Sequence, residues 1–320
     1  MTTDIAKVGP KVGIVVLNWN GWRDTIACIE SIRRLDYANY RIYVVDNASA
    51  DGSEKHLRDW DATLNIIQSG ANLGWAGGCN VGLRAALADA CDFFFLVNND
   101  ATVRPDCLTA LVAAAAQPKA AALGSLVLSA DDTDHAEFAG CVVDPRTEHP
   151  RQIHGPLAAV LRDARIVPVV AVKGCAMLLT RAALEKIGLF EEDFFLNFDE
   201  TDWCYRATQA GMVNYFVPTS VILHQGAVSF QGTENPLYAY FITRNRLLFA
   251  RRQLGRTGRY YAWRTVIWEA RQALFGQASL PQRVLMLRAH GRAVWDYVRG
   301  RFGDCPDSIR ESARRYRARD

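Results

Sequence analysis

Three polar clusters interrupt apolar runs in this sequence, and each could do chemistry. The first closes the run Phe93-Phe94-Phe95-Leu96-Val97-Asn98-Asn99-Asp100. A short apolar run bounded by polar residues fits a strand buried on both faces, and open α/β sheets bind ligands beyond the carboxyl ends of such strands. Asp100 is therefore where a cofactor or metal would be met, although a turn aspartate capping the next segment leaves the same signature. The second cluster is Asp199-Glu200-Thr201-Asp202, at the expected start of a helix. Complementing the helix dipole is one use for such carboxylates, at roughly 0.3–1 kcal/mol per charge. Three carboxylates exceed that need, and the preceding aromatic run, Phe190 to Phe198, would desolvate at least one and raise its pKa toward that of a general base. The third feature is His224, which ends a strand-like run. A single histidine is usually a packed or hydrogen-bonded one; beside Asp100 it becomes a candidate second ligand of a divalent ion, with water and phosphate oxygens completing the shell.

A fourth stretch, Asn72 to Gly82, holds Gly74, Gly77 and Gly78 ahead of a helix. Glycines there let backbone pass close to an anionic group, or serve only a tight turn and close helix packing. The spacing is not G-x-G-x-x-G, and no acidic residue follows at the place expected for dinucleotide binding, which disfavours an NAD-dependent enzyme.

These residues must be positioned by alternating elements. Strands are expected at 11–17, 41–45, 64–67 and 93–97, each followed by a helix, with Ser53 as the N-cap of the second helix. After the helix from Pro105 to Ala116 and a strand at 120–128, the polar stretch 129–165 shows weak periodicity and is assigned no fixed structure. Sheet-like runs follow at 167–180, then a short helix at 181–187. A helix from the acidic cluster to Gly211 and two strands at 213–217 and 220–223 complete this part, and everything from Tyr238 onward reads as helix.

The 320 residues carry a formal charge of +3 and are 50% hydrophobic, so the chain is globular. Residues 241–320 hold 18 Arg against 6 Asp or Glu, an excess of +12, and the remainder is −9. Arginines interleaved with Trp263, Trp268, Trp295 and Tyr297 suit anchorage at an anionic membrane surface, and equally suit a solvated helical face. No nucleic-acid motif accompanies this charge, so no nucleic-acid partner is expected. Eight isolated cysteines without a C-x-x-C pair point to reduced, buried thiols and a cytoplasmic setting, and no apolar stretch approaches the ~20 residues of a spanning helix.

Taken in order, Val44-Val45-Asp46-Asn47-Ala48-Ser49-Ala50-Asp51-Gly52-Ser53, the 72–82 stretch, Asn98-Asn99-Asp100, Gly174-Cys175-Ala176-Met177-Leu178, Asp199-Glu200-Thr201-Asp202 and His224 resemble the motifs of family 2 glycosyltransferases. The resemblance spans about residues 11–250 and is strongest to the bacterial rhamnosyltransferase and galactofuranosyltransferase group. It implies an α/β GT-A fold over 1–235, with a Rossmann-like, mostly parallel central sheet flanked by helices, and a C-terminal helical extension over 236–320. By the same resemblance, Asp46 accepts from a pyrimidine ring N–H, with Asn18, Asn47 and Ser49 nearby. Asn72, Gly74, Gly78, Asn98 and Asn99 shape the sugar-nucleotide pocket, and Gly174, Cys175 and Trp203 face the acceptor.

Asp100 matches the last carboxylate of an Asp-x-Asp metal motif whose first position is Asn98 here, and His224 matches a metal-binding histidine, followed at the usual distance by Ser229. Where the family more often has Glu-Asp-x-Asp, this chain makes Glu200 the base, with Asp199 or Asp202 as the fallback. The implied activity is inverting, Mg²⁺- or Mn²⁺-dependent transfer of a sugar, rhamnose favoured, from a TDP- or UDP-sugar to a saccharide or lipid-linked acceptor in cell-surface glycan synthesis. A UDP-galactofuranose or UDP-GlcNAc transferase and a non-catalytic nucleotide-sugar-binding module are the alternatives. The expected location is cytoplasmic, peripheral on the inner face of the membrane.

Overall fold

Apolar runs too short for helices alternate with helical periodicity in the first hundred residues, and the chain folds accordingly. A computed structural model describes residues 9–225 and 235–317; Ser229 lies outside the described residues. The alternation gives β1 (Val12–Asn18), α1 (Trp22–Ile32), β2 (Tyr40–Asp46), α2 (Ser53–Trp60), β3 (Ile66–Gln68), α3 (Gly74–Ala88) and β4 (Phe93–Asn98). These strands run parallel in the order β3-β2-β1-β4. Phe94, Phe95, Leu96 and Val97 are buried, as a strand covered on both faces requires. The register sets Asn18 beside Asp46 and Leu17 beside Asn98, so three strands end in polar residues along one edge.

Beyond β4 come β5 (Ala101–Val103), α4 (Cys107–Ala114) and β6 (Ala120–Ser129), then β7 (His135–Phe138), β8 (Cys141–Val143), β9 (Pro150–Gln152), β10 (Gly155–Pro156) and α5 (Leu157–Val160). The stretch 129–165 is thus structured, contrary to expectation. Its first strand pairs antiparallel with β6, and the alternation His135-Ala136-Glu137-Phe138 buries Ala136 and Phe138. Next are β11 (Val167–Val169), β12 (Ala176–Thr180), α6 (Arg181–Ile187), a 3₁₀ turn (Glu192–Phe194), α7 (Asp199–Gln209) and β13 (Val213–His224). β12 runs antiparallel between β4 and β6, whereas β13 is parallel to β6, so the sheet is parallel on one side and mixed on the other. It counts eleven strands among the described residues.

Two local expectations change. Ser53 is the first helical residue rather than the cap: Gly52, at φ 79°, turns the chain, and both Ser53 N and Oγ donate to Asp51 Oδ1. The two strands expected at 213–223 are one, broken in register between Val217 and Val221, where Pro218 has no N–H to give the ladder. Gly211 does follow α7 at φ 76°, as a C′ glycine should.

The chain ends in α8 (Pro236–Gln253), α9 (Arg256–Phe275), α10 (Leu280–Val298) and α11 (Asp307–Arg317). α8 is turned inward: Tyr240, Phe241, Arg244, Leu247 and Leu248 are all buried. Among the described residues no helix is long and apolar enough to cross a membrane.

Candidate functional site

At the polar edge of the parallel strands, Asp46 closes β2 with both carboxylate oxygens occupied. Its Oδ1 accepts from Asn18 Nδ2 (2.8 Å) and Ser49 Oγ, and its Oδ2 from Gln68 Nε2 (2.7 Å). Asn47, one residue on, reaches forward instead: its Nδ2 donates to Asn72 Oδ1 (3.1 Å) and to the Gly74 carbonyl (3.0 Å), and its Oδ1 accepts from Leu73 N. This ties the β2 edge to the glycine turn. Gly74 has φ 70°, and a Cβ there would lie 2.2 Å from the Phe195 carbonyl oxygen, which already accepts from Trp75 N. Gly74→Ala is therefore expected to destabilise the fold by about 1–3 kcal/mol, read from urea unfolding, since neither the backbone oxygen nor the dihedral yields cheaply. Gly78 serves packing: its Cβ position lies 2.4 Å from Leu17 Cδ1.

β13 and β5 pair antiparallel with His224 opposite Ala101, which carries Asp100 to the histidine across 124 positions of sequence. His224 Nδ1 lies 3.0 Å from Glu137 Oε2, and Glu137 is also paired with Lys173. With Nδ1 bonded to that carboxylate, Nε2 faces Asp100 Oδ1 at 3.4 Å. Both of these facing atoms are buried without a hydrogen-bond partner. Two acceptors so placed repel unless a proton or a cation lies between them. Burial alone would lower the His224 pKa, but the Asp100 and Glu137 carboxylates outweigh it and push the ring up to about 9. Conversely, burial would raise Glu137, but His224 and Lys173 hold it down at about 2.

The acidic helix α7 is approached through a strained loop in which Phe195, Asn197 and Phe198 all have positive φ, between 62° and 70°. The fully buried Asn245 of α8 clamps it, its Nδ2 donating to the carbonyls of Phe194, Leu196 and Asn197. Asp199 is buried with Oδ2 unpartnered; burial lifts its carboxyl well above the usual range, and the neighbouring Glu200 adds to the rise. Asp199 and Asp202 are both buried, and Glu200 is left half-buried on the wall. Asp202 points away, accepting from Arg206 and Gln253, and Trp203 donates to the Gly188 carbonyl deep in the core.

One cavity of about 420 Å³ collects Asn47, Asn72, Gly74, Asn98, Asn99, Asp100, Gly174, Cys175, Asp199, Glu200 and His224. Asn98 Oδ1 accepts from Trp75 Nε1 at 2.9 Å, and Asn99 Nδ2 donates to Thr25 and to the Gly21 carbonyl. Burial pushes the Cys175 thiol up to about 12, so it lines the wall as a neutral group. Asn18, Asp46, Ser49, Gly78, Asp202 and Trp203 do not line the cavity. The first three brace its floor, and the last three belong to the packing beneath it. Trp75, inside the 72–82 stretch, lines it as well, as do Glu137, Lys173, Tyr238 and Arg310, whose sequence context gave little warning. Only the short alternation around Glu137 carried a readable signal. Among the described residues no three His, Cys, Asp or Glu side chains converge as a metal cage.

Residues 13–187, more than half of the chain, match the family described as Glycosyl transferase family 2. An N-acetylglucosaminyl-diphospho-decaprenol L-rhamnosyltransferase of Mycobacterium tuberculosis is 28% identical over 214 residues, 59% of this chain and 67% of the relative. The dTDP-rhamnosyl transferase RfbF of Shigella flexneri is 20% identical over 291 residues, 85% of this chain and 90% of the relative. Among solved structures, the mannosyltransferase PcManGT of Pyrobaculum calidifontis, in complex with GDP-Man and Mn²⁺, superposes with a TM-score of 0.57 at 18% identity, covering 97% of this chain and 88% of that one. GalNAc-T7 with UDP, GalNAc and Mn²⁺ gives 0.60 at 12% identity; the match covers 89% of this chain and only 55% of the GalNAc-T7 chain. The family match and the cavity at the polar edge of the strands agree, and the chain belongs to glycosyl transferase family 2, a glycosyltransferase with a GT-A fold.

Proposed function

We propose that this enzyme inverts an anomeric centre while transferring a sugar, rhamnose in preference, from a TDP- or UDP-sugar to a saccharide or lipid-linked acceptor in cell-surface glycan synthesis. The observation that carries the reading is the shared cavity, in which Asp100, His224 and Glu200 meet although they come from three distant segments. The names of the two rhamnosyltransferase relatives support the choice of sugar.

Glu200 takes the proton from an acceptor hydroxyl as that oxygen attacks the anomeric carbon; the bond to the diphosphate breaks in the same displacement, and configuration inverts. Burial, with Glu200 beside it, lifts the Asp199 carboxyl well above its usual range and so disfavours a second negative charge beside the base. Asn47, Asn72 and the Gly74 backbone line the donor side. Asp46 Oδ2 accepts from Gln68 alone and keeps a second lone pair for a pyrimidine ring N–H. Asp100 Oδ1 and His224 Nε2 fit a divalent cation as two buried, unpartnered donors, with the remaining positions left to water and donor phosphate. Mg²⁺ or Mn²⁺ held there supplies positive charge to the departing diphosphate. Glu137 fixes the imidazole so that Nε2 faces Asp100. Glu137→Ala is expected to raise the Mn²⁺ dissociation constant by about 10–100-fold in titration calorimetry, with Glu137→Gln milder because it still offers an acceptor.

A lipid-linked acceptor places the enzyme on the cytoplasmic face of the membrane, bound peripherally through its basic C-terminal region. Incubation with TDP-rhamnose, UDP-galactofuranose and UDP-GlcNAc, with and without Mn²⁺, tests the reading. A rise in melting temperature and release of nucleoside diphosphate with TDP-rhamnose and Mn²⁺ is the expected result. Failure of every donor to raise the melting temperature or release diphosphate overturns it.

A further inference from the structure

We infer that the outer face of α10, with the turn joining it to α9 and the groove between α10 and α11, is a docking surface for an anionic phospholipid bilayer, the groove receiving headgroup phosphate. Leu280, Val284, Arg288, Gly291, Trp295 and Val298 recur along α10 at intervals of four, four, three, four and three residues, and all are exposed. The opposite side of the same helix is already used, with Leu285, Ala289 and Ala293 buried. Apolar side chains on a stripe that the fold does not cover need another neighbour. The C-terminal half of α9 adds two more, Trp268 and Phe275, 60% and 73% exposed, beside Leu280 at 66%.

Charge selects the occupant. α9 and α10 carry seven arginines against two acids, and both acids are committed to ion pairs, Glu269 with Arg246 and Asp296 with Arg292. Two such surfaces facing each other in a dimer repel, whereas an anionic bilayer attracts both components: arginines at the headgroups, Trp and Phe at the acyl boundary. Arg288, Arg292 and Arg315 line a cavity of about 220 Å³ between α10 and α11 together with Ser308, Ser312 and Glu311. Arg315 is paired with Glu311 and Arg292 with Asp296, so a phosphate ester there meets Arg288 first and competes with Glu311 for Arg315. On the other side of α11, Arg310 lines the catalytic cavity. One helix therefore separates the proposed headgroup site from the proposed acceptor side. This assignment rests on the membrane-bound acceptor reading given above and names the surface that serves it.

Co-sedimentation of the full chain with phosphatidylcholine vesicles, with and without phosphatidylglycerol, tests it. Binding is expected only with phosphatidylglycerol and should weaken as salt rises. Phe275→Glu with Leu280→Glu, and separately Arg288→Glu with Arg315→Glu, should each lower vesicle partitioning about tenfold or more while the circular dichroism spectrum is unchanged. Equal binding to both vesicle types, or partitioning untouched by either pair, overturns the inference. So does a dimer in light scattering that the Phe275 and Leu280 changes dissociate, because that assigns the face to a second copy. Inorganic pyrophosphate that saturates the groove without displacing vesicles reassigns the groove to a soluble phosphate and removes the headgroup role. Diphosphate release from donor and a water-soluble acceptor is measured in parallel. The docking variants should retain it, so loss of vesicle binding with intact turnover separates this inference from the proposed reaction.

Discussion

Glu200→Gln is expected to lower turnover by about 10²–10⁴-fold while leaving donor affinity within about twofold, because the amide keeps the shape of the wall and loses only the ability to take a proton. Measuring kcat alongside donor-induced thermal shift separates those two effects. Asp202→Asn is the internal comparison: its carboxylate bonds Arg206 and Gln253, so the substitution should cost stability with far less loss of turnover per folded molecule. If the two substitutions exchange behaviours, the base is Asp202 and α7 is rotated in the reacting enzyme. If Asp199→Asn alone abolishes turnover, the base is Asp199 rather than Glu200.

The second large effect is the pH dependence of Mn²⁺ binding. In the metal-free protein His224 is held protonated between Asp100 and Glu137, with its pKa pushed up from 6.5 to about 9. Mn²⁺ requires the neutral ring, so each ion bound displaces one proton. Affinity should therefore rise about tenfold per pH unit from pH 6.5 toward 9 and level off above it, leaving affinity at pH 7 about 100-fold below its plateau. The sign for stability is opposite. A raised folded-state pKa gives a contribution fully present below 6.5 and lost as pH rises through about 9, so the melting temperature of metal-free protein should fall over that window. Added Mn²⁺ should restore it, and more so at higher pH. His224→Asn should flatten both curves; a slope that survives this change would assign the proton to another group.

The strand ends were legible because burial on both faces leaves an uninterrupted apolar run, and the residues that stop it must meet solvent or ligand. That argument reached Asn18, Asp46, Asn98 and Asp100 from local composition. It did not reach Glu137, because a four-residue strand amid polar residues gains its place only from pairing with β6. Nor did it reach Asn245 and the fully buried Arg244. Arginine and asparagine are surface residues by type, and nothing local marks the strained carbonyls of residues 194–197 that they satisfy. α8 read only as helix for the same reason: periodicity describes one helix and is silent about the loop it packs on.

By itself the sequence determined the alternating parallel half of the sheet, the family to which the chain belongs and the identity of the groups able to do chemistry, because each depends on residue type and short-range spacing. Tertiary structure alone decided which of those groups share a cavity. It did so through pairings between distant strands, β5 with β13 and β6 with β7, and through α8, which holds the acidic loop. Desolvation and charge pairing are properties of assembled neighbours, so the raised pKa values of Asp199 and His224 exist only in the folded chain.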